Sequence, residues 1–490
     1  MSDRRRHPVP ASARVAVSVL LTVGAALSTG GCGVKRAYVA PVAAAPAAWG
    51  EAAPPVAQAE ELAAWWNAFD DPEMTSLVTR AVSGNLDVRT ALSRVREARA
   101  SARGAGGQVW PAVDASASGR FSGTGNQAGF GGTSQSYALG LDASWELDLF
   151  GGVRSAVEAA AATAEARAAD LRDVLVSLTA EVARVYIDIR SLQRRLDLAR
   201  ANLALQEQTL DLTRLRAQAG LGTDLEVQQA LSNVETTRAQ MASLDAQAAQ
   251  NAHALSVLLG TPPSSLAAEL AAPGAVPSAP ITLTVGVPAD TVRRRPDVRA
   301  AERQFAAQFA QVNVARADLY PTFRLAGSIG LESLSLANLL FPGAGFWSLG
   351  PSASTRLFNR RQLRENLVVQ NERQAQAALT YETRVLGALQ DVEDALTALA
   401  QEQVRRDHLT AAAGAAEQAA DLSLQLYTAG LSDFRDVLDS QRSLLLLQDS
   451  LASSGAAVAM DLVRLYKALG GGWGAETLLP APLAEAEALP

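Results

Sequence analysis

Four short stretches of the 490-residue chain alternate apolar and polar positions with a period of two. In Val113 to Phe121 the apolar parity holds Val113, Ala115, Ala117, Gly119 and Phe121, and the polar parity Asp114, Ser116, Ser118 and Arg120. In Tyr137 to Leu149, Tyr137, Leu139, Leu141, Ala143, Trp145, Leu147 and Leu149 oppose Asp142, Ser144, Glu146 and Asp148. Further on, Phe323, Leu325, Gly327, Ile329 and Leu331 oppose Thr322, Arg324, Ser328 and Glu332, and Trp347, Leu349, Ala353 and Leu357 oppose Ser348, Ser352, Ser354 and Arg356. Such alternation predicts strands with one apolar face. All eight charges of these segments lie on the polar parity. Strands of this length suit a membrane β-barrel, where a charge on the lipid face near the midplane costs roughly 2–4 kcal/mol. Alternation alone favours the other reading, amphipathic strands laid over a soluble helical core.

Between the strand pairs the pattern is helical. From Val153 to Ala219 there are 67 residues without glycine or proline, about 100 Å of helix at ~1.5 Å per residue. Leu192, Leu196, Leu203, Leu210 and Leu212 supply part of a coiled-coil seam. That length fits a rod or tunnel better than a globular core.

The order of elements occurs twice. Asp87-Val88-Arg89 recurs as Asp297-Val298-Arg299, Trp110-Pro111 as Tyr320-Pro321, Gly220-Leu221 as Gly430-Leu431 and Leu259-Gly260 as Leu469-Gly470, each 210 residues on; Phe150 is echoed by Phe358 at 208. Several landmarks in one order at one period indicate a tandem duplication. The repeats are placed at 63–270 and 285–475, with a Pro/Ala-rich linker at 271–284 that cannot continue a helix. Each repeat is expected to run from an early helix (about 72–104 and 289–318) through two strands to two long helices separated by a glycine break. Gly104-Ala105-Gly106-Gly107 reads as a helix breaker.

The ends add a compartment. Arg4, Arg5, Arg6 and Arg14 precede an apolar stretch from Val15 to Leu27, the layout of a signal peptide over 1–31. The single cysteine, Cys32, follows Gly30-Gly31, which resembles a bacterial lipoprotein signal, although Thr29 stands where such signals usually carry leucine. The alternative is cleavage between Ala26 and Gly31 with Cys32 left as a plain thiol. Gly33, in place of aspartate, implies sorting to the outer membrane within that resemblance. Residues 32–62 read as a lipid-anchored, extended tether and 476–490 as a disordered tail. Losing residues 1–31 removes four arginines and one aspartate and moves the net charge from −7 to −10. An acidic chain without a basic stripe excludes nucleic acid as a partner.

The signal and the rod-length helices favour the membrane reading of the strands. Four strands cannot close a barrel, and open edges are not tolerated in lipid. The barrel must therefore be shared between copies: a dimer gives eight strands with a filled interior, a trimer gives twelve with a lumen. A conduit favours the trimer.

The chain resembles the outer membrane factor family (the TolC, OprM and NodT type). The resemblance lies in Trp65-Trp66 with Phe69-Asp70-Asp71-Pro72, Trp145-Glu146-Leu147-Asp148-Leu149-Phe150-Gly151, Leu258-Leu259-Gly260, Arg294-Arg295-Pro296-Asp297-Val298 with Ala301-Glu302, Tyr427 with Gly430, and Leu469-Gly470-Gly471-Gly472-Trp473. It implies a mainly α fold with a small β part: a TolC-like α-barrel of long coiled-coil helices carrying four strands of a homotrimeric twelve-stranded transmembrane barrel. It also implies an outer-membrane efflux lipoprotein working with a periplasmic adaptor (a membrane fusion protein) and an inner-membrane pump of the resistance-nodulation-division (RND) type. The only covalent group implied is lipid, including palmitate, on Cys32; no cofactor or metal is expected.

The turns Gly220-Leu221-Gly222 and Gly430-Leu431-Ser432 are implied contacts for the adaptor, although glycine as a helix C-cap explains them equally well. Asp439 and Arg442, in Asp439-Ser440-Gln441-Arg442, resemble the segment lining the constricted periplasmic gate, with Arg435 one turn earlier; a surface ion pair at i,i+3 is the alternative. Arg293 to Asp297 reads as a helix start with Pro296 in its first turn. Nothing points to an enzyme. His7, His253 and His408 are scattered, and no metal spacing, nucleophile elbow or phosphate-binding loop stands in a strand-to-helix context. A protein-secretion (type I) channel and a periplasmic coiled-coil scaffold remain as alternatives.

Overall fold

A computed structural model describes residues 35–41, 46, 49, 62–124, 132–279 and 288–474. The signal, Cys32 and the tail at 476–490 lie outside the described residues. The elements are a 3-10 turn at Trp65–Phe69, α1 (Pro72–Gly84), α2 (Leu86–Gly107), β1 (Ala112–Thr124), β2 (Gly132–Leu147), α3 (Gly152–Gln218) and α4 (Asp224–Leu258). The same order then repeats: α5 (Pro288–Arg294), α6 (Pro296–Ala317), β3 (Thr322–Ser333), β4 (Gly345–Ser354), α7 (Arg360–Thr428) and α8 (Phe434–Ala468). The chain divides into two compact units.

Of the described residues, the first unit takes in 35–40, 101–124, 132–162 and 306–376. Its sheet is fully antiparallel in the order β1-β2-β3-β4. Register keeps the parities intact: Leu141 lies between Ala115 and Ile329, and Ile329 faces Trp347. On the polar face hydroxyls and charges bond across strands, as in Ser122 with Ser134 at 2.8 Å, Ser328 with Ser348 at 2.7 Å, and Arg324 donating to Glu146 at 3.2 Å. The apolar side chains Leu139, Leu141, Ile329, Trp347 and Leu349 are exposed. Helices attach at Ala112, Leu147, Thr322 and Ser354, all at one end of the sheet, and the β3–β4 connection lies at the other, as do the strand ends Thr124 and Gly132. Residues 35–38 are strapped onto this unit. Lys35 pairs with Glu158, the Arg36 backbone exchanges two hydrogen bonds with the buried Asn313 amide at 3.2 and 3.1 Å, and the Tyr38 ring meets Phe309 edge-on at 5.7 Å.

The second unit takes in Pro41–Ala100, Thr163–Phe305 and Ala377–Pro490. Its main core gathers Trp65, Trp66 and Phe69 with Leu171, Leu175, Tyr186, Ile187 and Leu462. Trp65 stacks on Tyr466 at 5.1 Å. Gly472 passes so close that an added Cβ would sit 2.6 Å from the Thr179 hydroxyl, at a φ of +97°; only glycine fits there. Of the leucine seam, Leu192, Leu196 and Leu210 are buried, while Leu203 and Leu212 pack against the core from its edge. α8 is long and apolar enough by composition to cross a membrane, yet Val437, Leu438, Leu444, Leu462 and Leu465 are buried inside the unit. Polar pairs interrupt the packing of the long helices: Gln441 donates to Thr209 at 2.8 Å, Thr237 to Gln206 at 2.8 Å, and Asn202 to Gln448 at 2.8 Å. Buried polar pairs of this kind fix register between helices that leucine alone would let slide.

Several boundaries differ from the sequence pattern. The early helix is two helices, because Asn85 turns out and its side chain caps the amides of Asp87 and Val88 at 2.8 and 3.1 Å; α5 and α6 break likewise at Arg295. Gly104, Gly106 and Gly107 form the last turn of α2, which ends at Gly107, three residues later than the pattern places it. β2 stops at Leu147, since Asp148 accepts from the Arg154 amide at 2.8 Å and so starts α3. β4 stops at Ser354, leaving Arg356 and Leu357 outside the sheet.

Candidate functional site

Two helical hairpins meet in the second unit. α3 ends on Gly220 and α7 on Gly430, each with φ near +74°. Leu221 N donates to Arg216 O at 2.8 Å and Gly220 N to Ala217 O at 3.0 Å; Leu431 N donates to Leu426 O at 2.8 Å and Gly430 N to Tyr427 O at 3.0 Å. This paired bonding closes a helix with a left-handed glycine, so the capping role of both glycines is real. Thr223 caps the start of α4 by accepting from the Glu226 amide, and Gly222 lies close against the Glu226 carboxylate. The Leu221 and Leu431 side chains point outward, 70% and 75% exposed. The Ser432 hydroxyl is buried without a hydrogen-bond partner among the described residues.

The two turns are bolted together by residues the sequence pattern did not single out for that role. The Arg216 guanidinium lies 4.6 Å over the Tyr427 ring and donates to the Tyr427 carbonyl at 3.1 Å. The Tyr427 hydroxyl donates to Glu226 at 3.2 Å, and its ring packs on Phe434 at 5.4 Å. Burial, reinforced by the nearby Glu226 charge, pushes the Tyr427 phenol above its ordinary pKa. Leu210, Ala230, Val234, Val437 and Leu438 complete the cluster. A basic residue in the last turn before Gly220 was the available signal for Arg216.

Arg435, Asp439 and Arg442 share one face of α8 at steps of four and three, beside the face that buries Phe434, Val437, Leu438 and Gln441. Arg435 and Asp439 are exposed, and among the described residues neither makes an ion pair. The i,i+3 pair between Asp439 and Arg442 is not formed. Arg442 instead donates through Nε to Asn233 of α4 at 3.2 Å.

The Arg295-Pro296-Asp297 segment does start a helix, with Pro296 as the first residue of α6. Arg295, buried, is bidentate to Asp297 at 3.0 and 2.8 Å, donates to Asp391 at 3.0 Å, and holds the Ala468 carbonyl at 2.9 Å. It lines a cavity of about 230 Å³ with Asp173, Asp391, Arg464 and Lys467. Burial first, then repulsion from Asp297, pushes the Asp173 carboxyl up against the opposing pull of Arg295 and Lys467. Among the described residues no group of His, Cys, Asp and Glu is arranged to hold a metal. Cys32 lies outside the described residues.

The family model described as outer membrane efflux protein matches residues 77–261 and 287–471, one match in each half. The chain is 34% identical over 448 residues to Nodulation protein T of Rhizobium leguminosarum bv. trifolii, covering 90% of this chain and 95% of that protein. It is 33% identical over 472 residues to the toluene efflux pump outer membrane protein TtgF of Pseudomonas putida, covering 92% and 96%. Among solved structures, the outer-membrane channel OprN superposes with a TM-score of 0.86 at 34% identity, over 91% of this chain and all of that one.

Proposed function

The chain belongs to the outer membrane efflux protein family, and on that premise we propose that three copies of it form the exit duct of a tripartite efflux assembly. The protein is an outer-membrane channel component of TolC-like fold, reaching into the periplasm, and not an enzyme. In the proposed assembly each copy gives four strands to a twelve-stranded barrel. A periplasmic adaptor meets the turns at Gly220-Leu221-Gly222 and Gly430-Leu431-Ser432, and an inner-membrane RND-type pump supplies the energy. Small molecules pass through the duct passively. Residues 1–31 are removed as a signal peptide, and lipid on Cys32 tethers the mature chain.

The observation that carries this reading is the sheet itself. β1 and β4 are paired on one side only, while its apolar face is exposed. Open strand edges in lipid leave backbone groups unsatisfied at several kcal/mol each, so β4 of one copy must meet β1 of the next. Twelve strands leave a lumen that eight would fill. Asp439, unpaired within the described part of its own chain, is proposed to line the periplasmic gate with Arg442 and Arg435 beside it. Three copies around an axis would then set three carboxylates against one another.

The test is accumulation of a fluorescent dye and of antibiotics in a strain lacking the protein, with and without the complementing gene. Raised accumulation that complementation reverses supports the duct. Unchanged accumulation with loss of a secreted protein would replace small-molecule cargo by protein cargo and keep the channel.

A further inference from the structure

The connection from β3 to β4 has an unusual surface. It belongs to a run without any charged residue from Ser333 to Thr355. Within it Leu334, Leu336, Leu340 and Phe341 are 72%, 65%, 80% and 61% exposed. Four large apolar side chains standing out of eight residues are a poor surface for water. The backbone of the same segment turns inward on itself. Asn338 N donates to Ser335 O at 3.1 Å, Leu339 N to Leu336 O at 3.3 Å, Phe341 N to Asn338 O at 3.2 Å and Ala344 N to Phe341 O at 2.9 Å. Ser335 N donates to the Ser333 hydroxyl at 3.3 Å, and Pro342 has no N–H to satisfy. The result is two 3-10 turns, Leu336–Asn338 and Pro342–Ala344, with five backbone amides bonded within the segment and four large apolar side chains turned out.

Apolar side chains turned out over backbone bonded to itself suit an apolar medium better than water. The segment is also continuous with the apolar face of the sheet: Trp347 and Leu349 follow it directly on β4 and are 78% and 66% exposed. It lies at the end of the sheet opposite the four helix attachments.

We propose that this connection is a membrane wedge, whose Leu336, Leu340 and Phe341 insert into the acyl layer of the outer leaflet at the rim of the barrel. The wedge supplies each copy with an apolar foothold beyond the ends of β3 and β4, and it holds the connection away from the exit of the lumen. This inference rests on the reading of the sheet as part of a membrane barrel.

The test uses the full mature chain in vesicles containing brominated phosphatidylcholine, with a bimane label on Leu340→Cys and a reference label on the strand at Leu349→Cys. The unsubstituted chain, whose one cysteine is Cys32, is the labelling blank. Leu336→Cys replaces Leu340→Cys if the latter does not assemble. The expected result is loss of most bimane emission to the brominated lipid at both positions, with little quenching by aqueous iodide. A strand label quenched by bromolipid beside a loop label that is not overturns the wedge. Iodide then tells whether the loop stands in water or is covered by a neighbouring copy. If neither label responds to bromolipid, the barrel reading fails and the wedge falls with it.

Discussion

Arg295 occupies in the second half of the chain the place that Asn85 occupies 210 residues earlier. The Asn85 amide donates to the Leu258 carbonyl at 2.9 Å, and Arg295 Nη1 donates to the Ala468 carbonyl at 2.9 Å. The two acceptors are themselves 210 apart. In both halves the residue that breaks the early helix ties off the end of the last long one. The contact survived while its chemistry diverged: Asn85 also caps its helix with its own side-chain oxygen, whereas Arg295 relies on Asp297 and Asp391. Removing the two therefore has unequal consequences. Asn85→Ala loses a cap, at about 1 kcal/mol, plus a bond to a buried carbonyl. Arg295→Ala strands the largely buried Asp297 carboxylate as well, at about 3 kcal/mol for a broken buried pair, while the exposed Asp391 is left to water. Thermal unfolding of the purified protein should show the larger fall in Tm for Arg295→Ala; equal falls would refute the charged cluster as a stabilising unit.

Asp173 faces that same cluster and gives it a pH dependence. Its carboxyl is raised by burial and by Asp297, with Arg295 and Lys467 pulling the other way. A carboxyl whose folded pKa exceeds its unfolded one binds more protons when folded, so its contribution to stability grows as pH falls through the raised value and levels off near the ordinary carboxylate value. At neutral pH its charge is a burden on the fold. Asp173→Asn should raise Tm at pH 7 to 8, and the advantage should shrink toward pH 4. Tm profiles of the two proteins across that range check it, and a constant difference would show that the carboxyl does not titrate in the window.

Much of this is legible in the sequence because it is local. Val153 to Ala219 lacks glycine and proline, and α3 runs through almost all of it. The parity of Asp114, Arg120, Asp142 and Glu146 places them on one sheet face without any knowledge of register. What escapes the sequence depends on partners distant in the chain. Gly84-Asn85 is a local stop-and-cap signal for the break between α1 and α2, but nothing near Asn85 announces that its amide also holds the carbonyl of Leu258. Asp148 keeps the strand parity yet serves a helix, because the Arg154 amide competes for it. At the turns Gly220 and Gly430 are visible as caps. The clamp of Arg216 on Tyr427 spans 211 positions and has no periodic signature.

The strand parity makes a sharp prediction at Leu141. It stands mid-sheet between Ala115 and Ile329 on the apolar face, and it is exposed. Leu141→Arg places a charge in lipid at roughly 2–4 kcal/mol per copy near the midplane. The expected outcome is loss of SDS-resistant oligomer from the outer-membrane fraction. Ser118→Arg, on the polar parity of β1, should assemble normally. If Leu141→Arg assembles as well as Ser118→Arg, the odd face does not meet lipid.

Asp439 and Arg442 should respond differently to substitution even though they are neighbours on α8. Asp439 has no ion-pair partner among the described residues of its own chain, so Asp439→Ala leaves the fold intact. It removes charge only from the proposed gate, and it should raise single-channel conductance and sensitivity to large toxic molecules. Arg442 is engaged with Asn233, so Arg442→Ala loosens α8 from α4 and should match Asn233→Ala in both conductance and Tm. Planar-bilayer recordings of the three variants decide. Unchanged conductance in Asp439→Ala, with unchanged sensitivity in cells, would remove it from the gate.

The turns allow capping and docking to be separated, since one residue does each. Gly220 at a φ of +74° closes α3, and a side chain there costs roughly 1–2 kcal/mol of left-handed strain; Gly220→Ala should lower Tm. Leu221 beside it is 70% exposed and Leu431 is 75% exposed, so Leu221→Asp and Leu431→Asp should leave Tm, oligomer and membrane level unchanged. If these turns meet the adaptor, the aspartate variants nevertheless fail to restore dye export in the deletion strain, and the double variant fails more completely than either alone. A soluble adaptor should also lose most of its retention on immobilised channel. Full export from the double variant would assign the turns to helix capping alone and move the adaptor's contact elsewhere on the helices.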